Sequence, residues 1–377
     1  MHVVMAAALP ADRTKPAGGP TVTAACLIRE LVRQGTRVTA IEWGARGRGA
    51  QHDEHLNCEV IPLPRHRFAI LGNALYNARE VRDIVEDLQP DVVHVQAVAE
   101  LGRLVRHPSV LTIRGIPYRD EWLLKGRRGY ITAPIMALTF HQSVRKYDHL
   151  IAISPYTRQV VRLPGSVRIH DIPNPAEQQF FDVKRENVRP TVLTVGVLSE
   201  LKNTLGVVQT AAKIRQAVPD VQFRIVGPWR DTSTDYRRHV EAYWQQEGLQ
   251  QTVHFLGHLG REALMAEMAT ASCLLLPSFQ ENSPVVIAEA MAAGVPVTAS
   301  RICGIPFLVE EGKTGLLFDP RDPDQIVDCV TRLLTDQGLR EGMGYAARED
   351  AWRRFRIEAV AQQHLEVYQQ AAEERSG

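Results

Sequence analysis

Glu281 and Glu289 lie with seven residues between them in segment 277–297, PSFQENSPVVIAEAMAAGVPV. An apolar run ends at Pro277, a polar loop carries Glu281, and a helical pattern then runs on to Gly294. Ser283 is the expected N-cap, with Pro284 at the first helical position; Gly294 is the expected C′ residue, and Pro296 bars continuation. Glu281 thus stands just ahead of a helix N-terminus, whose unpaired N–H groups and positive end face outward. Glu289 lies further along the same helix. Two such carboxylates suit a polyhydroxylated ligand, since they accept from its hydroxyls while loop amides donate. On the residues alone a second reading carries equal weight: Glu281 caps the helix and Glu289 is a paired core carboxylate.

Anion chemistry is available elsewhere. Gly18-Gly19-Pro20 opens the first long helix, where backbone amides and the helix dipole could hold a phosphate. Gly304 precedes an apparent helix over 305–311 that Gly312 closes, and its amides could meet a pyrophosphate. Lys202 follows the strand 191–195 and its Gly196 turn, and would add a cation at the same edge. Taken singly, each is more often an ordinary turn or a surface lysine.

The elements that must carry these residues alternate between short apolar runs and helical patterns, the signature of parallel sheets covered by helices. Strands are expected over 2–8, 37–42, 92–95, 110–113 and 150–153, with a polar loop over 11–19 and helices over 21–34 and 78–88. A second series starts after the Pro-rich stretch 172–176 and the charged segment 182–189, with strands over 191–195, 222–226, 253–255, 273–276 and 296–299. The division into two domains therefore falls near 175–188, and an amphipathic helix over 351–374 could return to the first domain.

A length of 377 residues, 45% of them hydrophobic, also favours two domains. The balance of 44 basic against 43 acidic residues, a net charge of +1, gives no reason to expect a nucleic-acid partner. Cys26, Cys58, Cys273, Cys303 and Cys329 are scattered and form no metal-binding spacing, as expected of small core residues in a reducing compartment. The first residues do not read as a signal peptide, and no run of 18 apolar residues occurs, so a cytoplasmic location is expected.

With these residues in view, the chain resembles family 4 of the retaining glycosyltransferases. The similarity is strongest from about 190 to 322 and rests on the Glu281/Glu289 segment, VGVLSELK ending at Lys202, Ile172-Pro-Asn174, and EGKTGLLF ending at Phe318. The resemblance implies an α/β GT-B fold of two Rossmann-like domains facing each other across a cleft. Residues 1–178 would form the acceptor domain, with a helix over about 352–377 packed back on it, and 179–351 the sugar-nucleotide donor domain. It implies transfer of a sugar from a nucleoside-diphosphate sugar to a hydroxyl of a glycan, lipid or small molecule, with retention and without a metal or cofactor. Glu289 would bind the ribose, and Glu281 the transferred sugar, aided by the backbone at Asn282, Ser283, Pro284 and Val285. Lys202 would neutralise the leaving diphosphate with amides at Gly18, Gly19 and Gly304.

Two positions depart from the family pattern. Val197 stands where an arginine usually flanks the diphosphate, and Arg114 stands where a histidine usually lies near the sugar. Either Arg114 supplies the missing cation, or the protein binds donor with little or no turnover. A sugar-nucleotide epimerase, which needs no acceptor, is the competing enzyme class. Asp322-Pro-Asp324 matches a metal-binding pattern, but Asp324 is better read as opening a helix over 325–335; His52 and His55 are read as loop residues. Segment 125–140 is read first as a buried helix behind a basic loop. Its second reading is a peripheral contact with an anionic membrane that carries a lipid acceptor, made through Arg127 and Arg128 at the inner face.

Overall fold

A computed structural model describes residues 1–10, 19–45, 47, 49–64, 76–96, 98–116, 118, 129–161, 165, 167–186, 189–230 and 234–374. The chain divides into two compact units, Met1–Pro173 with Ile357–Gly377, and Asn174–Arg356. Strands of the first unit are β1 (His2–Ala7), β2 (Arg37–Trp43), β3 (Gln51–Asp53), β4 (Cys58–Leu63), β5 (Val92–Val95), β6 (Ser109–Ile113), β7 (His149–Ala152) and β8 (Arg168–Asp171). Those of the second are β9 (Thr191–Val195), β10 (Gln222–Val226), β11 (Val253–Gly257), β12 (Cys273–Leu276), β13 (Val297–Ser300) and β14 (Gly315–Phe318). The longer helices are α1 (Gly19–Arg33), α2 (Ala78–Leu88), α3 (Gly129–Val144), α4 (Thr204–Ile214) and α5 (Thr234–Gln246). They continue with α6 (Arg261–Thr270), α7 (Val285–Ala292), α8 (Pro323–Thr335), α9 (Gln337–Arg354) and α10 (Ile357–Glu373).

The first sheet has the order β3-β4-β2-β1-β5-β6-β7-β8, parallel except for β3 against β4. The second has the order β11-β10-β9-β12-β13-β14 and is parallel throughout. Apolar runs such as Val3–Ala7 and Cys273–Leu276 are buried along their whole length, as strands covered on both faces must be. Each sheet starts at a central strand and is built outward to both sides. The order therefore reverses between β1 and β5 and again between β9 and β12, and connections leaving such strands diverge to open a crevice.

Helix α10 belongs to the first unit. Its Val360, Val367 and Tyr368 share one core cluster with Ile28 and Leu31 of α1. The single helix expected over 351–374 is two helices, because the Phe355 carbonyl accepts from Ala176 N–H at 2.8 Å and Arg356 pairs with Ala176 in a short bridge. That pairing takes the backbone out of the helical ladder. Strands β3, β4, β8 and β14 were not anticipated. β4 contains Glu59 and Pro62, β8 is polar (RIHD), and β14 is a four-residue run opened by glycine.

Helix α8 starts at Pro323, ahead of the expected 325, because Asp322 rather than Asp324 is its cap. The Asp322 carboxylate accepts from the N–H groups of Asp324 at 3.0 Å and Gln325 at 3.1 Å. Helix α3 buries Phe140 and Val144 but leaves Ile135 and Leu138 exposed, so a fully buried helix describes only one of its faces. Lys125, Arg127 and Arg128 lie outside the described residues.

Candidate active site

Three loops leaving the C-terminal ends of β9, β12 and β13 are tied together in the second unit. Lys202 ends a short 3-10 turn over Glu200–Lys202, and Asn203, in a left-handed conformation (φ 53°), caps α4 by accepting from Gly206 N–H. The Leu201 carbonyl in that turn accepts from Phe279 N–H at 2.8 Å, which joins the β9 loop to the β12 loop. Beyond Phe279, the Glu281 carboxylate pairs with Lys202 Nζ and accepts from the Ser278 hydroxyl at 3.0 Å, both through Oε1. The Glu281 carbonyl accepts from Gly304 N–H at 3.1 Å, which brings in the β13 loop. Lys202 and Glu281, distant in sequence, are thus brought into contact.

Several expectations are revised at this edge. The Gly304 amide is engaged by Glu281, so it holds the glutamate loop rather than standing open for a pyrophosphate. Residues 305–311 form only one 3-10 turn, Ile305–Phe307. Helix α7 begins at Val285, with Pro284 extended ahead of it and no side-chain cap from Ser283. Proline has no N–H, so the donors of this loop are Asn282, Ser283 and Val285. Ser283 instead offers its carbonyl to the Asn174 side chain at 2.9 Å, and the Ile172-Pro-Asn174 segment thereby buttresses the loop. At the other end of α7, Gly294 (φ 72°) and Val295 donate to Met291 and Ala290, closing the helix as anticipated.

Glu289 faces the interior from α7 and is buried. Arg261, at the start of α6, donates to it at 2.9 Å and pairs also with Glu177. Burial raises the Glu289 carboxyl above its usual range, and Arg261 opposes that shift. Sequence reading missed Ser278, Arg261, Glu177 and the role of Asn174. Asn174 carries a signal in its Ile172-Pro-Asn174 motif, whereas the partners of Arg261 are set only by packing.

Val197 is 40% exposed in the turn after β9 and brings no charge. The neighbouring Gly196 has φ 154°, a backbone conformation that favours glycine, and the Lys202 side chain runs beside it, where a Cβ would make only ordinary contact at 3.9 Å from Cε.

In the first unit, Gly19 is the first residue of α1, and Gly18 lies outside the described residues. Arg114, just past the end of β6, donates to the Thr23 hydroxyl and to the Gln96 side-chain oxygen. Thr23 in turn donates to the Pro20 carbonyl at 3.0 Å, which links Arg114 to the first turn of α1. Burial lowers the Arg114 guanidinium to about 10, and it stays a cation at neutral pH. Among the described residues, Arg114 thus lies just past β6 in the first unit and Lys202 in the loop after β9 in the second.

Two family models match adjacent stretches of the chain. Residues 17–179 match "Glycosyltransferase Family 4", and residues 175–350 match "Glycosyl transferases group 1". Over 248 residues the chain is 34% identical to D-inositol 3-phosphate glycosyltransferase of Corynebacterium glutamicum, covering 63% of this chain and 58% of that protein. The chain spans about half the length of the curated relatives it matches. Sucrose-phosphate synthase from Thermosynechococcus elongatus superposes with a TM-score of 0.81 at 21% identity over 98% of both chains. HepE of Anabaena, solved in complex with UDP and glucose, superposes with a TM-score of 0.74 at 20% identity over 98% of this chain and all of that one. On these matches and this architecture, the chain belongs to glycosyltransferase family 4 and has the GT-B fold.

Proposed function

We propose that this protein is a retaining, metal-independent glycosyltransferase that moves a sugar from a nucleoside-diphosphate sugar to a hydroxyl acceptor. The observation that carries the reading is the cluster at the β9/β12 edge, where Lys202, Ser278 and Glu281 converge ahead of the N-terminus of α7. An anionic leaving group and a polyhydroxylated sugar need this pairing of a cation with a carboxylate. The solved complexes of HepE with UDP and with UDP-glucose support a sugar nucleotide as the donor class.

In this reading the acceptor oxygen bonds to the anomeric carbon on the face that the diphosphate leaves. The bond from that carbon to the phosphate oxygen breaks, and the hydroxyl proton passes to the departing diphosphate. Lys202 and the first amides of α7 stabilise the charge that develops, Glu281 accepts from the sugar hydroxyls, and Glu289 accepts from the ribose. Val197 leaves its turn without a cation, and Arg114 is assigned to the phosphate charge of the substrates.

The reading is tested by incubating the protein with a panel of nucleoside-diphosphate sugars in EDTA and measuring diphosphate release. Slow release from one donor, accelerated by a hydroxyl acceptor, is expected. A folded protein that releases nothing from any donor, or releases only when a divalent ion is restored, contradicts it.

A further inference from the structure

A buried polar chain in the first unit runs from α10 to Arg114. Tyr368 Oη lies 2.6 Å from His94 Nδ1, and His94 Nε2 lies 2.7 Å from the Thr112 hydroxyl. Gln96 Nε2 approaches His94 Nδ1 at 3.4 Å, while Gln96 Oε1 accepts from Arg114. We infer that Tyr368, His94 and Gln96 are positioning residues that fix Arg114 at the edge of β6, an inference that rests on the substrate role proposed for Arg114.

The direction of each bond follows from which groups can donate. A guanidinium only donates, so the Gln96 oxygen must face Arg114 and its NH2 must face His94. Nδ1 of His94 is therefore an acceptor, the Tyr368 hydroxyl donates to it, and the imidazole proton sits on Nε2, directed at Thr112. Burial, with His364 and Arg114 nearby, holds the His94 imidazole well below its ordinary pKa, which keeps one nitrogen available to accept. His364 packs beside this chain, its ring 5.7 Å from that of His94, and turns Nδ1 to the Val360 carbonyl at 2.8 Å. Every bond agrees with one orientation of Gln96, the orientation that presents its oxygen to Arg114. The helix that returns to the first unit thus sets the attitude of a side chain at the opposite end of the network.

The test combines a double-mutant cycle with nitrogen NMR of the histidines. Tyr368→Phe and Thr112→Val each remove one partner of His94 with little change of shape. Each should lower the kcat for diphosphate release about tenfold, the scale of coupling within one hydrogen-bond network, with donor KM held within about twofold. In an Arg114→Ala background neither should lower kcat further. An equal loss in that background, or no loss beside native Arg114, overturns the inference. Wild-type kcat in Arg114→Ala also overturns it, and leaves the donor-site reading standing if Lys202→Ala is inactive. Independently of turnover, His94 should show a protonated Nε2 and a bare Nδ1; the reverse tautomer would require Gln96 to turn its oxygen from Arg114 and contradicts the inference.

Discussion

Lys202 Nζ and Glu281 Oε1 form an ion pair between the loops that follow β9 and β12, and the Ser278 hydroxyl donates to the same carboxylate oxygen. In this state the cation proposed to meet a diphosphate and the carboxylate proposed to meet a sugar neutralise each other. A donor that brings its own anion and hydroxyls can take both partners, so the pair is exchanged rather than lost when the site fills. Ser278 is buried, and on this account its hydroxyl would keep Glu281 in place while Lys202 changes partner. Ser278→Ala should therefore lower kcat for donor turnover by roughly tenfold while shifting stability by only about 1 kcal/mol. Steady-state kinetics and thermal melts check both parts, and unchanged kcat counts against this role.

Glu289 is a buried carboxylate whose ionised form is disfavoured by burial and supported by Arg261. Glu289→Gln keeps the shape and can still accept from Arg261, which retains Glu177 as its charged partner. The melting temperature should stay the same or rise. If the carboxylate accepts from ribose hydroxyls, donor KM should nevertheless increase about tenfold. A destabilised variant with unaltered KM would assign Glu289 to the core alone.

The buried histidines predict a pH dependence of stability. Burial lowers His364 from 6.5 to about 4 and also depresses His94. Between those values the unfolded chain binds protons that the folded chain does not, so stability falls as pH drops from about 6.5 towards 4. Within this window the His364 imidazole contributes a slope of up to about 1.4 kcal/mol per pH unit, and His94 adds in the same direction. Denaturant unfolding across this window should give a shallower slope for His364→Gln than for wild type. Equal slopes would show that His364 is protonated in the fold.

Gly227 follows β10 with φ 139°, and a Cβ there would run into the Gly196 carbonyl oxygen. Backbone meets backbone at this point, so no side-chain rotation relieves the clash. Gly227→Ala should cost at least about 3 kcal/mol and displace the Gly196–Lys202 turn. A near-native melting temperature for Gly227→Ala would contradict that close approach.

Much of this architecture was legible in the chain. The runs 92–95, 191–195, 222–226 and 273–276 matched strands to the residue, and 273–276 (CLLL), buried along its whole length, gives the unbroken hydrophobic signal of a strand covered on both faces. Edge strand β8 carries no such signal, since arginine, histidine and aspartate suffice where one side is open. The α7 segment was visible through its turn chemistry, though the helix starts one residue later than expected, at Val285, because Pro284 is extended. Lys202 and Glu281 could be named singly, but their contact depends on β9 lying beside β12, a non-local pairing that no local pattern reports. The same holds for Arg114, whose partners come from α1 and the segment after β5.

The most direct test of the donor site is diphosphate release from the productive sugar nucleotide in EDTA, measured for wild type, Lys202→Ala and Glu281→Ala. Folding of each variant is checked by its melting curve. The account predicts turnover by wild type and a fall of roughly a hundredfold or more in both variants, the size expected when a group that stabilises transition-state charge is removed. Wild-type turnover retained by either folded variant would contradict it, and would show that the Lys202–Glu281 pair only braces the loops that carry it.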